Sequence, residues 1–211
     1  MANTILSLIA CYLIGSIPFG LLAGWLFKKV DIREFGSGNI GATNVLRTLG
    51  PGPAFLVFLL DTAKGYVAVL ISETFVPNSP GIVVAGALLG VAGHNFSIFL
   101  KFHGGKGVAT TLGVILGLNL TAGLIGLGVW ILFVGITRYI SIASIVAAIT
   151  VPTVMHFWTA LHVPVIYQLT AVVAALAILI KHRPNVKRLL DGTESRVGQR
   201  VKMPSDSEEP K

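Results

Sequence analysis

Three short segments of small, polar and basic residues interrupt a chain that is otherwise almost uniformly apolar. They cover residues 36–44, 103–111 and 181–188. The residue types that they share are glycine, serine, threonine, asparagine, lysine and arginine, which supply the N–H groups, hydroxyls and cations that bind phosphate oxygens. The chemistry that these segments could perform is therefore the binding and conversion of phosphorylated substrates.

The second segment carries the strongest phosphate-binding pattern. Its G-G-K-G sequence, Gly104–Gly107, runs directly into an apolar helical stretch that opens with Thr110 and Thr111. Glycines let backbone N–H groups approach an anion, and the N-terminus of a following helix adds partial positive charge to that of Lys106. The pattern is too short for a Walker A loop. A tight turn whose lysine only sets membrane orientation is the alternative, and the two threonines favour phosphate binding.

The first and third segments offer complementary groups. Residues 36–44 contain no large side chain except one isoleucine, which predicts that their backbone packs closely against a neighbouring surface. Arg47, three residues further on, could bind a phosphate through two hydrogen bonds. Residues 181–188 have the basic character of a topology signal or a lipid contact. His182 and Asn185 carry no reliable positive charge and need another explanation. His182 could act as a general acid or base, or as a hydrogen-bond donor.

A few polar residues lie inside the apolar stretches. Asp61 and Lys64 are three residues apart and can pair on one helix face. Charged groups within a span are candidates for function, although a structural pair near the membrane surface is an equal alternative. His94 would either hydrogen-bond between helices or belong to a pocket. Ser141 lies at the cytosolic start of a later span, where it could cap a helix or face a pocket.

The elements that must position these residues are membrane helices. Of the 211 residues, 54% are hydrophobic and only 12% are charged, with a mean hydropathy of +0.81, whereas soluble domains carry about 25% charged residues. In a membrane protein, a net charge of +7 mostly reflects basic residues in cytosolic loops that lie beside anionic lipid headgroups. We therefore expect no nucleic-acid partner. A single cysteine, Cys11, excludes an internal disulfide and a multi-cysteine metal site.

The apolar stretches predict an all-α integral membrane protein. They are residues 5–27, 53–76, 81–100, 108–137, 139–158 and 164–180. The stretch 108–137 is either one overlong helix or two that meet near Asn119. Two crossings are favoured, because only then do all 16 lysines and arginines fall on the cytosolic side. This predicts seven transmembrane helices, with the N-terminus outside and the C-terminus cytosolic, in one domain over 1–194 followed by a polar tail over 195–211.

The residues on the side of the membrane that carries the three polar segments do not favour other chemistries. Only His94, His103 and His182 are scattered there, without the pair spacing of a metal site, so no metal or other cofactor is predicted. The sequence has neither the G-x-S-x-G pattern of serine hydrolases nor the Asp-rich signature of alcohol phosphatidyltransferases. A membrane carrier for phosphorylated metabolites stays open as an alternative function, although all three segments lie on one face and no repeat pair is present.

Motifs in a fixed order along the chain carry a family resemblance. They are S-G-N-I-G-A-T-N (37–44) with Arg47, L-L-D-T-A-K-G (59–65), G-H-N-F-S (93–97), G-G-K-G-V-A-T (104–110), S-I-A-S (141–144) and K-H-R-P-N-V-K-R-L (181–189) with G-T-E (192–194). Together they resemble the bacterial acyl-phosphate:glycerol-3-phosphate acyltransferases, a family often called PlsY. The resemblance runs from Gly15 to Glu194, and departures such as Leu59 in place of the usual Phe leave the polar groups unchanged.

The resemblance implies a reaction and its setting. An acyl-phosphate would donate its fatty acyl group to the 1-hydroxyl of glycerol 3-phosphate, giving lysophosphatidic acid and phosphate in the first committed step of bacterial phospholipid synthesis. Neither acyl-CoA nor a metal would take part. Membrane lipids are expected partners, and the upstream enzyme that produces acyl-phosphate is a candidate partner. The protein would span the bacterial cytoplasmic (inner) membrane with its active site facing the cytosol.

The same resemblance implies which residues form the site. Those that line the active site are Ser37, Arg47, Lys106, His182 and Asn185. Those that contribute to substrate binding are Gly38, Asn39, Thr43, Asn44, Gly104, Gly105, Gly107, Thr110 and Ser141. We expect Lys106 and its loop to bind one phosphate and Arg47 the second, while His182 and Asn185 orient glycerol 3-phosphate or aid proton transfer.

Overall fold

The computed structural model describes residues 1–158 and 162–201, and over these ranges the chain forms α-helices and short 3-10 turns but no strand. The helices are α1 (Ala2–Ser16), α2 (Phe19–Lys28), α3 (Ala42–Thr48), α4 (Pro51–Phe75), α5 (Pro80–Asn95), α6 (Val108–Leu118), α7 (Leu120–Thr137), α8 (Ile140–Phe157), α9 (Val165–Lys181) and α10 (Arg183–Leu190). The 3-10 turns are Ile32–Glu34 and Ile98–Leu100. The prediction of an all-α protein is confirmed.

Several of these helices, alone or joined to the neighbouring element, have the length and surface of membrane spans. In the described residues, 5 stretches are long and apolar enough to cross a membrane, or up to 6 if α9 and α10, bent by 49°, form one span. Large apolar side chains such as Leu26 (76% exposed) and Ile136 (69% exposed) face outward, where lipid would cover them. The 11 residues of α6 rise only about 16 Å, against about 30 Å of hydrocarbon. The predicted count of seven spans therefore stays a prediction.

The first predicted span, residues 5–27, lies within the candidate span Ala2–Lys28, which consists of two helices. The chain leaves the helical conformation at Ile17 and Pro18, between α1 and α2. Proline cannot donate a hydrogen bond and disfavours a helical residue before it. The carbonyl of Ile17 accepts a hydrogen bond of 2.9 Å from Lys64 Nζ. The break therefore provides a partner for a lysine that is buried inside the bundle.

Asn119 divides the long apolar stretch where the sequence predicts a division. Its side chain accepts a hydrogen bond of 2.8 Å from the N–H of Ala122 and so caps the start of α7. The short α6 packs closely on α4, since a Cβ added at Gly113 would lie 1.8 Å from the carbonyl oxygen of Thr62. This contact fixes the loop before α6 beside α4.

The C-terminal segment gathers the basic loops at one end of the bundle. The N–H of Val197 donates to the carbonyl of Arg138, which follows α7, at 2.8 Å. Lys106, which precedes α6, donates from Nζ to Asn185 Oδ1. The start of α6 and the end of α7 therefore lie at the same end, as two crossings would require. Residues 195–201 of the predicted tail lie against these loops, and the rest of the tail is outside the described residues.

Candidate active site

A cavity of about 690 Å³ leads from the basic end of the bundle into its apolar interior. Its polar end is formed by α3, the loop before α6, the start of α8 and the segment after α9. Its apolar limb runs between α4, α6, α7, α8 and α9. A pocket with convergent polar groups at one end and an apolar limb at the other is suited to a substrate with a charged head and an aliphatic tail.

Most of the predicted site residues line this cavity. They are Ser37, Asn39, Thr43, Asn44, Arg47, Lys106, Gly107, Ser141, His182 and Asn185. Gly38, Gly104, Gly105 and Thr110 are not among the residues that line it. Thr110 is fully buried, and its carbonyl lies against Gly65 of α4. The structure thus brings all five residues predicted for the active site to one place, while their individual roles stay predictions.

Asn44 organises the first segment from within. Its side chain is almost fully buried, and Nδ2 donates to the carbonyls of Ile32 at 2.9 Å and Phe35 at 3.1 Å. Its Oδ1 accepts from the N–H of Ser37 at 2.8 Å. The turn between these partners uses the left-handed region at Gly36, whose φ is 63°. Asn44 therefore fixes the position of Ser37 at the cavity, and its own hydrogen-bonding capacity is largely used inside the loop.

The glycines before Lys106 serve a contact with α5 rather than a phosphate. The N–H groups of Gly104 and Gly105 donate to the carbonyls of Asn95 and His94 at 3.2 and 3.0 Å. A Cβ added at Gly105 would lie 2.1 Å from His94 Nε2. These N–H groups are therefore not free for an anion, contrary to the expectation from the sequence. The donors that remain are Lys106 and the first turn of α6, whose N–H groups have no partner within the helix.

A buried charged cluster supports this loop from behind. Lys64 Nζ lies 2.6 Å and His94 Nδ1 lies 3.6 Å from Asp61 Oδ1. All three residues are at most 4% exposed, and Asp61 and His94 line the cavity wall. The predicted pairing of Asp61 with Lys64 is therefore confirmed as a buried ion pair, while its depth in the membrane stays a prediction. Buried charges need close partners, and Asp61 together with the Ile17 carbonyl supplies them for Lys64.

Glu194, which the predicted site residues do not include, also lines the cavity. It is 6% exposed, and it accepts hydrogen bonds of 2.7 Å from Asn185 Nδ2 and from Arg188 Nε. Its Oε1 also lies 4.0 Å from Arg47 Nη2. Burial acts to raise the pKa of Glu194, but the hydrogen bonds from Asn185 and Arg188 outweigh it and hold the pKa below its usual value. The available signal was its place as the carboxylate of the G-T-E motif beside a basic segment.

Two further site groups have strongly lowered basicity. Burial lowers the pKa of Lys106 to about 8. At His182, which follows the end of α9, burial and then the charge of Lys106 lower the pKa to about 4. His182 Nδ1 lies 2.8 Å from the carbonyl of Ile178, which can only accept. The neutral ring therefore carries its proton on Nδ1, and Nε2 is an acceptor.

Sequence comparisons agree with this geometry. The model of the family described as "Glycerol-3-phosphate acyltransferase" matches residues 5–192. A glycerol-3-phosphate acyltransferase of Synechococcus sp. (strain CC9902) is 45% identical, covering 96% of this chain and 99% of the relative. One of Mesorhizobium japonicum is 46% identical, covering 92% of this chain and 96% of the relative.

Solved structures give the same result. The fold is similar to that of PlsY (YgiH), an integral membrane glycerol 3-phosphate acyltransferase, in its glycerol 3-phosphate form. The TM-score is 0.84, with 40% identity over 92% of this chain and 96% of that chain. The form described as the lysophosphatidic acid form of the same enzyme gives a TM-score of 0.82, with 38% identity over 93% of this chain and 96% of that chain.

Proposed function

Since the chain belongs to the glycerol-3-phosphate acyltransferase family, we propose that it transfers a fatty acyl group from an acyl-phosphate to the 1-hydroxyl of sn-glycerol 3-phosphate. The products are lysophosphatidic acid and inorganic phosphate. Acylation of glycerol 3-phosphate is the activity of the family, and a multi-pass membrane fold is shown. The proposal adds the acyl donor, the roles of the site residues and the side of the membrane.

The observation that carries the proposal is the two-ended cavity. Its polar end holds two separate cations, Arg47 on α3 and Lys106 before α6, and both substrates carry a phosphate. Its apolar limb suits the acyl chain of the donor and of the product. An acyl-phosphate is a mixed anhydride with a good leaving group, so the enzyme needs mainly to position two anions, offset their repulsion and stabilise the oxyanion.

The roles follow from which groups line the polar end of the cavity, although the hydroxyl of Ser37 also donates to Asn44 Oδ1 at 3.2 Å and Lys106 Nζ to Asn185 Oδ1. Lys106 and the first turn of α6 bind one phosphate, while Arg47 and the hydroxyl of Ser37 bind the other. His182 Nε2 accepts a hydrogen bond from a glycerol hydroxyl and so orients it. The 1-hydroxyl oxygen attacks the acyl carbon, the bond between that carbon and the bridging oxygen breaks, and the phosphate leaves. The hydroxyl proton passes to a phosphate oxygen of a substrate.

A purified preparation tests the donor. The protein in detergent should release one phosphate for each lysophosphatidic acid formed from palmitoyl-phosphate and glycerol 3-phosphate. Palmitoyl-CoA should give no product under the same conditions. Turnover should also persist in EDTA, because lysine and arginine supply the positive charge that Mg²⁺ supplies elsewhere. Formation of lysophosphatidic acid from palmitoyl-CoA but not from palmitoyl-phosphate would refute the proposed donor.

The pH dependence should reflect Lys106. Its pKa is lowered to about 8, so it is charged below that pH and loses its charge as the pH rises through about 8. We expect kcat/KM for glycerol 3-phosphate or for the acyl-phosphate to fall over this range, since kcat/KM reports the free enzyme. A bound phosphate dianion raises the pKa of the lysine, and the limb in kcat should lie at higher pH. Lys106→Arg should lack the limb, because a guanidinium stays protonated.

Cysteine labelling tests the seven-span topology and the cytosolic site. In a Cys11→Ser background, single cysteines at Asn119 and Arg138 should react from opposite sides of the membrane, with Arg138 accessible from the cytosol. The contact of Arg138 with Val197 supports a common side for the basic loops. Labelling of both cysteines from the same side would mean that 108–137 does not cross twice.

Substitutions at His182 separate an orienting group from a general base. A ring nitrogen whose pKa is lowered to about 4 is a weak base. His182→Gln keeps an acceptor oxygen and should retain about a tenth of the activity, whereas His182→Ala should lose about a hundredfold. The pH–rate profiles of both variants and of the unsubstituted enzyme should have the same shape near the ordinary imidazole pKa. Equal and complete loss in both, with such a limb present only in the unsubstituted enzyme, would identify His182 as the base.

A further inference from the structure

The apolar limb of the cavity follows a continuous stripe along two antiparallel helices. On α8 the lining residues recur every three or four positions, which places them on one helix face. They include Ser141, Ser144, Ala148 and Val151. Opposite them, α7 contributes Trp130, Leu127, Gly126 and Gly123. The limb therefore descends between α7 and α8, away from the polar end at Ser141.

A packed cluster closes the bottom of this limb. Ile115, Ala122, Met155 and Ala171 form a buried group, with Val151 packed against it. Ile115 and Ala171 also line the cavity. An acyl chain that follows the limb consequently meets a floor.

An aromatic bridge stands across the side of the limb that faces lipid. Phe58 of α4 and Trp130 of α7 stack with ring centroids 6.0 Å apart and an interplanar angle of 18°. Trp130 Nε1 donates to Ser144 Oγ at 3.2 Å, which fixes the indole between α7 and α8. Nearby lining residues, such as Leu59 and Ile131, are 46% and 58% exposed, so the cavity reaches the outer surface there. The bridge obstructs that lateral route and leaves the route down the limb.

Gly126 packs directly against Val151 in the wall of the descending limb. It is buried, it lines the cavity, and a Cβ added to it would lie 2.6 Å from Val151 Cγ2. From Ser141 to Val151 the α8 axis rises about 15 Å. An extended carbon chain advances about 1.2 Å per bond, taking the extended backbone as a guide. A chain of about twelve carbons that starts level with Ser141 therefore reaches Gly126, and longer chains need the space beside it.

We propose that Gly126 sets the longest acyl chain that the enzyme accepts, and that the Phe58–Trp130 bridge directs the chain toward it. This inference rests on the proposed function. It assigns a specificity-determining residue to the apolar limb, where a side chain larger than hydrogen would push Val151 into the space used by the terminal carbons of a long chain. The substrate class concerned is straight-chain acyl-phosphates longer than about twelve carbons.

A chain-length series tests the proposal. The kcat/KM values for acyl-phosphates of 12 and 16 carbons are compared in Gly126→Leu and in the matched control Gly128→Leu. Gly128 lies on the same helix, where an added Cβ would meet nothing within 4 Å. We expect the ratio of the 12-carbon to the 16-carbon value to rise at least tenfold in Gly126→Leu and to stay unchanged in Gly128→Leu. Trp130→Ala should bring the kcat/KM values for the 12-carbon and the 16-carbon donor closer together than in the unsubstituted enzyme, because loss of the indole opens the lateral route.

A second variant keeps the test decisive if Gly126→Leu does not fold. Val151→Ala removes the opposing side chain, and we expect it to favour an 18-carbon over a 16-carbon donor by about threefold relative to the unsubstituted enzyme. A ratio in Gly126→Leu equal to that in Gly128→Leu, or an unchanged preference in Val151→Ala, would overturn the proposal. Absence of turnover with every acyl-phosphate in the unsubstituted enzyme would instead refute the proposed function.

Discussion

Lys106→Ala is expected to lower kcat/KM about a thousandfold while the protein remains folded. Loss of a single preorganised donor to a developing anion typically costs about 10²–10³ in rate, and Lys106 supplies a full charge at the polar end of the cavity. Its Nζ donates to Asn185 Oδ1, so the substitution also leaves this amide oxygen, which lines the cavity, without that donor. Because burial already weakens the basicity of this lysine, its removal should not lower the thermal unfolding midpoint in detergent.

Two comparisons define the effect. Lys106→Met keeps most of the buried stem and should lose as much activity as Lys106→Ala, which would identify the charge as the cause. Lys187→Ala is a matched control, since Lys187 is an exposed cation on α10 that does not line the cavity. It should leave kcat and both KM values within about twofold. Near-normal turnover in Lys106→Ala, with unchanged KM for both substrates, would remove Lys106 from the phosphate site.

A common side for the three polar segments could be predicted from the distribution of positive charge, and a common site from their shared phosphate-binding residue types. The distribution of lysine and arginine predicts that 36–44, 103–111 and 181–188 lie on one face of the membrane. The structure brings Arg47, Lys106 and their neighbours to one cavity. The break at Asn119 was also predictable, because an asparagine inside a long apolar stretch can cap a new helix.

What could not be predicted depends on contacts between distant parts of the chain. Gly104 and Gly105 match a phosphate-binding pattern, yet their N–H groups donate to α5, which the local sequence does not reveal. The helix break at Ile17 likewise has its partner in Lys64 of another helix. Such pairings are set by tertiary packing, whereas motif spacing reports only local geometry.

Glu194 shows the same difficulty at the centre of the site. The chain reverses after α10 through Gly192, whose φ is 71°, and the N–H of Glu194 donates to the carbonyl of Arg188 at 3.1 Å. This turn places the carboxylate of Glu194 next to Arg188, which precedes it in the chain. Only then does Glu194 hold Asn185, which in turn accepts from Lys106. A linear chain of contacts thus links the last motif to Lys106.

Glu194→Gln is expected to lower activity about a hundredfold and to reduce stability. Removing one partner of a fully buried ion pair costs about 3–5 kcal/mol. Arg188 is 37% exposed at its side chain, so solvent screening reduces this to about 2 kcal/mol. A loss of that size corresponds to a fall of about 4–8 °C in the unfolding midpoint for a chain of this length. The amide of glutamine can still accept one hydrogen bond, but Arg47 and Arg188 lose their counter-charge.

The pH profile distinguishes a role in the site from a purely structural one. The charge of Glu194 acts to raise the pKa of Lys106, which burial has lowered to about 8. Without that charge the pKa of Lys106 falls further, and the alkaline limb of kcat/KM should move to lower pH. Glu34→Gln removes an exposed carboxylate and should change neither the limb nor the unfolding midpoint. If Glu194→Gln lowered the midpoint but left the limb in place, Glu194 would stabilise the turn after α10 without tuning Lys106.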